Sequence, residues 1–438
     1  WLKLKLPGSG ERLGRETLTV MKKASGDPQP DEKSLCARTV SKTDTWFALV
    51  KANLGPGCLA LPFAFAKAGW AFGVPILLFT AAEGVYTMFA TVECKRALDQ
   101  TDVQDLGDIA ESILGRVGRV TADLFVFVIQ TGVCCVFMSL VSGNLTEVIG
   151  IRRESVVCIV VPFFFAIELL RNVAQLKHVN RFATIVMTAT IIAATAVALI
   201  RITEEEGVAI IKDAAWPQNS IKDSVTLAAA VFFAFEGIGT LIPIEKEMST
   251  PTAFPQVLTL SSVTLVSAFI CVGVTGGIAF RDEIESGSIT AFLARRAEAG
   301  REKVVLETVN LLVSLAIFLT FPLQLLPSTE ILCYWLPVRK REGSDAQHQL
   351  MCRLLMVSVC FIVTLAVKDV APLVDLFGAL GQLGLAILAP VCHIALMKSG
   401  RISVSTPRMV MDVATIAFCS LVMMGGTYLA LLEIIADS

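Results

Sequence analysis

Two apolar stretches carry the residues best placed to do chemistry. Residues 46–65 read WFALVKANLGPGCLALPFAF and residues 227–244 read LAAAVFFAFEGIGTLIPI. Each has helix breakers at its centre: Gly55, Pro56 and Gly57 in the first, Gly237 and Gly239 in the second. Lys51 and Asn53 precede the first break, and Phe232, Phe235 and Glu236 flank the second. In hydrocarbon an interrupted helix leaves amides and carbonyls without partners, at a cost no bilayer repays. Such backbone persists only where protein or a polar cavity receives it. Glu236 has two possible uses: it can take a proton on one side of the membrane and release it on the other, or it can permanently accept hydrogen bonds from amides freed by Gly237 and Gly239. The competing reading of the glycines is close helix packing alone. Two interrupted spans at matching positions of two halves point to the binding site of a secondary transporter.

The elements that must hold these residues are membrane spans. Of 438 residues, 54% are hydrophobic and only 17% charged, and mean hydropathy is +0.69. The net charge of −2 says nothing about nucleic acid, but no basic tract or aromatic-basic ribbon appears, and no nucleic-acid partner is expected. Against a requirement of roughly 20 apolar residues per span, the chain predicts eleven: 46–66, 71–92, 121–142, 155–170, 182–200, 224–244, 256–280, 304–327, 351–367, 372–396 and 409–435. Residues 1–45 lack apolar periodicity and are expected to be a flexible cytosolic tail, leaving 46–438 as the transmembrane domain. The first apolar segment comes late and is expected to be a span rather than a cleaved leader.

With the tail in the cytosol, Lys and Arg favour the cytosolic loops, narrowly once the tail is set aside. Asn144-Leu145-Thr146 then falls on the non-cytosolic side, close to the span. The twelve cysteines do not suggest a disulfide framework, and neither CxxC nor His-Cys spacing suggests a metal. His178, His348 and His393 are expected at cytosolic loops or a span end, none positioned to relay protons through the bundle centre. Absent a nucleophile–base constellation, an enzyme is not expected. The first broken span opens a block of five (46–200) and the second another five (224–396). Because five is odd, the second block must run through the membrane in the opposite sense. The result is a five-plus-five inverted repeat with one extra helix.

KANLGPGCLALPFAFAKAGW resembles the first-span signature of the amino acid/auxin permease superfamily. It is closest to the animal proton-coupled amino acid transporters and the plant and fungal vacuolar amino acid transporters. FFAFEGIGTLIPIEKEMSTPTAFPQVLTLS is similar to that group's sixth span, and GIAFRD and TFPLQLLPSTE fall where relatives carry similar runs. The resemblance implies an all-α, leucine-transporter type of fold with broken helices 1 and 6, and symport of amino acids. In that role amides at Gly55 and Gly57 would face a substrate carboxylate at a half-helix N-terminus. Carbonyls between Phe235 and Gly239 would accept from the ammonium, Asn53 would donate and accept across the gap, and Phe232 and Phe235 would wall the side-chain pocket. Lys51 either snorkels to the interface or stands where sodium-coupled relatives hold their ion, which would favour protons. Glu83 and Asp123 either pair with Lys51 or an interfacial Arg, or take part in coupling. Animal relatives usually have a His one turn before the Lys; here it is Ala48, which makes the vacuolar branch the nearer analogue.

The expected function is therefore proton-coupled symport of small or apolar neutral L-amino acids, at a vacuolar or lysosomal membrane ahead of the plasma membrane. No cofactor is expected beyond the coupling ion, H⁺, and no protein partner is indicated. The alternatives are a sodium-coupled transporter, which shares the fold and Thr320, and an amino-acid sensor with little flux.

Overall fold

A computed structural model describes residues 40–55, 57–98, 103, 105–169, 176–204, 207–216, 220–284, 288–298, 300–336, 344–403 and 405–436. Pro56 and residues 1–39 of the expected tail lie outside them. Within them the regular structure is helical, apart from one isolated bridge between Val40 and Met248.

Helices α1 (Lys42–Asn53) and α2 (Gly57–Ala68) form the first broken span, bent by 52°. Ser41 caps α1 by accepting from the Asp44 amide at 3.1 Å, so the helix starts four residues before the expected span. Next come α3 (Trp70–Leu98), α4 (Leu106–Leu114), α5 (Arg116–Ile149), α6 (Arg153–Glu168), α7 (Leu176–Glu204) and α8 (Gly207–Asp213). The second broken span consists of α9 (Ser220–Ala234), a 3-10 turn at Glu236–Ile238 and α10 (Leu241–Glu247). The chain continues through α11 (Pro251–Ala279), α12 (Ile289–Arg296), α13 (Arg301–Trp335), α14 (Ser344–Ala366), α15 (Val370–Lys398) and α16 (Thr406–Ala436). Two of these contain π turns, at Ile270–Val274 in α11 and Gly378–Gln382 in α15.

Eight of these helices are long and apolar enough to cross a bilayer, and the α1–α2 pair makes a ninth. The other two expected spans are shorter in the structure. Residues 155–170 fall on α6, 16 residues long with Pro162 inside it, and residues 224–244 are divided between α9 and α10.

Burial sorts the helices into a core and a lipid-facing shell. The apolar windows of α5 and α15 are 72% buried, whereas those of α14 and α16 are 28% buried. Ile362, Leu421 and Met424 point outward as a bilayer permits. Polar side chains pin the core where hydrophobicity cannot distinguish helix from lipid. Asn144 donates to Ser314 at 3.0 Å, and Asn310 donates to the Asn144 carbonyl at 3.1 Å. Asn144 is thus buried inside α5, where its sequon cannot be glycosylated. The tight α2–α3 turn uses Gly69 at φ 70°, where an added Cβ would lie 2.6 Å from the Ala215 carbonyl oxygen.

Candidate functional site

The two breaks meet through one side chain. Asn53, buried at the end of α1, donates from Nδ2 to its own Leu49 carbonyl at 2.8 Å. Its Oδ1 accepts from the Gly237 amide at 3.0 Å, across the gap to the 3-10 turn. Only glycine fits there, because a Cβ on residue 237 would lie 2.3 Å from Asn53 Nδ2. Gly239 differs: an added Cβ would meet only Val126 and Leu385, at 3.9 and 4.0 Å. Gly237 therefore serves a close approach, and Gly239 leaves room.

The first break is held less by substrate-sized space than by packing. A Cβ on Gly57 would lie 2.8 Å from the Phe233 ring and 3.2 Å from Ala234 Cα, so Gly57 lets α2 close on α9. Gly55 uses its carbonyl locally, accepting from the Cys58 amide at 3.3 Å. At the second break two of the freed carbonyls have internal donors. The Phe235 carbonyl accepts from Gln382 Nε2 at 2.6 Å, and that of Gly237 from the Thr240 amide at 3.2 Å. Phe232 and Phe235 are both fully buried, and Phe235 stacks edge-on against Phe269 of α11 at 5.1 Å.

The expected ion-coupling residues are dispersed. Lys51 is half-buried in the last turn of α1. Glu83 turns to α16, where it accepts from Thr415 at 2.6 Å. Asp123 pairs with an interfacial arginine: Arg119 reaches it at 3.0 Å and gathers Asp108 at 2.6 Å and Asp105 at 3.3 Å as well. Thr320 donates back to the Ala316 and Ile317 carbonyls of its own helix. The side chain of Glu236 lies outside the described residues, although its backbone opens the 3-10 turn.

Three groups were missed in the sequence. Gln382, fully buried on the π turn of α15, touches the second break and keeps an Oε1 without a hydrogen-bond partner among the described residues. The glycine-rich run around it was the available signal, since Gly378 and Gly381 let this turn approach α9 and α5. His393 lies near the end of α15, the span end expected for it, but fully buried there it meets Asp412 of α16 at 2.6 Å, and Asp412 also accepts from Tyr86 at 2.7 Å. Finally, the fold brings one ligand atom each from Cys333, His348 and Cys352 within 4.8 Å of one another; the four-residue His348–Cys352 spacing on α14 was the available signal, and Cys333 joins it from α13.

The arrangement as a whole is two broken helices cross-linked by a buried asparagine, with a buried amide beside them. A family profile described as transmembrane amino acid transporter protein matches residues 38–432. The Arabidopsis thaliana protein named amino acid transporter AVT3A is 26% identical, over 94% of each chain. The Saccharomyces cerevisiae protein named vacuolar amino acid transporter 4 is 25% identical over 67% of this chain and 41% of its own. The Drosophila melanogaster proton-coupled amino acid transporter-like protein pathetic is 24% identical over 88% and 84%.

Proposed function

The chain belongs to the transmembrane amino acid transporter family, and from that premise we propose that it is a proton-coupled symporter of small or apolar neutral L-amino acids. The observation that carries this reading is the Asn53–Gly237 hydrogen bond, which sets the two helix breaks face to face. On this reading the segments form eleven spans in a five-plus-five inverted repeat plus one, α6 and the α9–α10 segment included. The substrate lies between the breaks: its carboxylate at the N-terminus of α2, where the helix dipole is positive, and its ammonium towards the 3-10 turn and the Gln382 Oε1. Burying the zwitterion there replaces hydration with fixed dipoles. Of the coupling candidates, Lys51 and Glu236 stand at the breaks, whereas Glu83 and Thr320 are hydrogen-bonded elsewhere.

Energetics support the coupling. One proton crossing about 100 mV supplies roughly 2.3 kcal/mol, and a pH difference of about two units adds roughly 2.7 kcal/mol. Together they suffice for accumulation by about three orders of magnitude. In a vacuolar or lysosomal membrane, the location suggested by the name of the yeast relative, the same stoichiometry exports amino acids to the cytosol. The test is uptake of a panel of amino acids into proteoliposomes under separately imposed pH and sodium gradients. The expected result is accumulation driven by the pH gradient without sodium. Uptake that disappears when sodium is replaced at fixed pH selects the sodium-coupled alternative, and binding without flux selects a sensor.

A further inference from the structure

Four helices converge on a small charged cavity at the end of the bundle that is non-cytosolic when the tail is cytosolic. The last turn of α2 contributes Lys67, the first turn of α9 Lys222 and Asp223, α15 Asp375, and the last turn of α16 Glu433. The cavity measures about 20 Å³, enough for a single water. Two ammonium groups thus face three carboxylates, leaving one negative charge uncompensated.

The geometry shows which carboxylate that is. Glu433 takes both cations, Lys67 at 3.7 Å and Lys222 at 3.8 Å. Asp223 has interactions of its own. Asp375 is 8% exposed and opens onto the cavity, yet among the described residues its carboxylate makes no hydrogen bond and no ion pair. The charges that act on it across the cavity are Glu433, Lys67 and Lys222. On its own helix, Lys368 and Asp369 lie just before the first turn. The remaining neighbour, α5, faces α15 around Gly132 and Phe377; its buried residues 129–142 include no charged side chain, and Cys134 and Cys135 are their only titratable groups. A buried carboxylate without a contacting ion-pair partner is costly until something neutralises it.

We propose that Asp375 takes up the coupling proton from the non-cytosolic compartment. A proton delivered by non-cytosolic water adds to the free carboxylate oxygen, which leaves two cations facing two anions; once the outer halves have closed and the opposite side of the bundle has opened, the O–H gives that proton up to water continuous with the cytosol. The cavity lies between α2 and α9, the outer halves of both broken spans, so its charge state acts directly on how closely they can approach. The neutral cavity favours their closure over the substrate, whereas the unprotonated one opposes it. A proton and an amino acid are thereby made to move together. This inference rests on the proton-coupled reading above.

The experiment uses the full chain in proteoliposomes with labelled L-alanine and L-leucine. Asp375→Asn is expected to lower the ratio of pH-driven uptake to exchange at equal pH at least tenfold. Lys67→Met, at a partly exposed position, removes a cation and raises the proton affinity of what remains, moving the half-maximal pH of uptake up by about one unit. The second variant decides the matter if Asp375→Asn does not fold. A wild-type ratio in Asp375→Asn, or an unmoved midpoint in Lys67→Met, overturns the assignment of Asp375 while wild-type accumulation stands. Should the wild-type chain itself fail to accumulate substrate under a pH gradient, the coupling reading fails first and the proposal falls with it.

Discussion

Asn53 does at one position what two interrupted helices require: its amide closes a carbonyl on α1 and an amide on the 3-10 turn at once. Gly237→Ala tests that junction. The new Cβ would lie 2.3 Å from Asn53 Nδ2, so either the side chain or the turn must move. The expected outcome is at least a tenfold loss of transport with a stability cost of about 1–3 kcal/mol, read by uptake and thermal melting together. Wild-type apparent affinity in that variant would show that the breaks work without this contact. Glu236→Gln asks a different question, because the amide keeps size and an acceptor but cannot change charge. The variant is expected to retain measurable exchange and lose pH-driven accumulation. If it accumulates normally while Asp375→Asn does not, the coupling proton is carried by Asp375, and Glu236 is a fixed acceptor at the break. Residue types at both breaks were legible because glycine and proline in an apolar run violate the backbone's need for partners. Gln382 was not, since it meets Phe235 from 147 residues away and no spacing announces such a contact.

At the scale of elements, the same glycine signal carried two meanings that the sequence alone left open, and the packing separates them. Gly57 lets α2 lie against Phe233 and Ala234, which is the close-packing meaning; at Gly239 a side-chain carbon would make only ordinary contacts with Val126 and Leu385. Gly57→Val is therefore expected to lower both transport and melting temperature, since Phe233 is fully buried and has nowhere to retreat. A second substitution, Phe233→Ala, is expected to restore part of the melting temperature. A Gly57→Val protein with wild-type stability but no substrate binding would show that the residue acts at the carboxylate site and not through packing alone. Long uninterrupted spans such as α5 and α7 were legible from hydropathy, which reports transfer to lipid and nothing else. Short α6 and the α9–α10 segment test the limit of that signal, because tertiary packing, not length, holds them. Hydropathy also hides which polar groups face one another inside the bundle. Tyr86, His393 and Asp412 belong to three different helices, and only the approach of α3, α15 and α16 makes them one network.

The whole molecule presents two faces, and its charges are arranged accordingly. On the face of the tail, Lys95 of α3 meets buried Glu245 of α10 at 2.8 Å, and Val40 joins Met248 by a backbone bridge, so the inner half of the second broken span is fastened to its surroundings. The opposite face carries the Asp375 cavity and, in the turn after α11, Glu283. The Arg201 guanidinium at the end of α7 bonds Glu283, Arg296 of α12 reaches it at 3.0 Å, and these cations hold its carboxyl below the usual carboxylate range. A carboxylate whose folded pKa is depressed adds stability above its unfolded value, about 4.3, and loses that contribution only as pH falls through the lower folded value. An acidic vacuolar or lysosomal lumen would lie above that window, so the clamp stays formed there, whereas an uncompensated carboxylate such as Asp375 is the kind that responds. Glu283→Gln is accordingly expected to lower the melting temperature by the same amount at pH 5 and pH 7.5, the difference from wild type closing only below about pH 4. Because the group is partly exposed, salt screens the effect, and high ionic strength should shrink the difference at both pH values. A penalty already fading between pH 7.5 and 5 would mean that Glu283 titrates within the working range, and the outer face would then have two proton-sensitive sites rather than one.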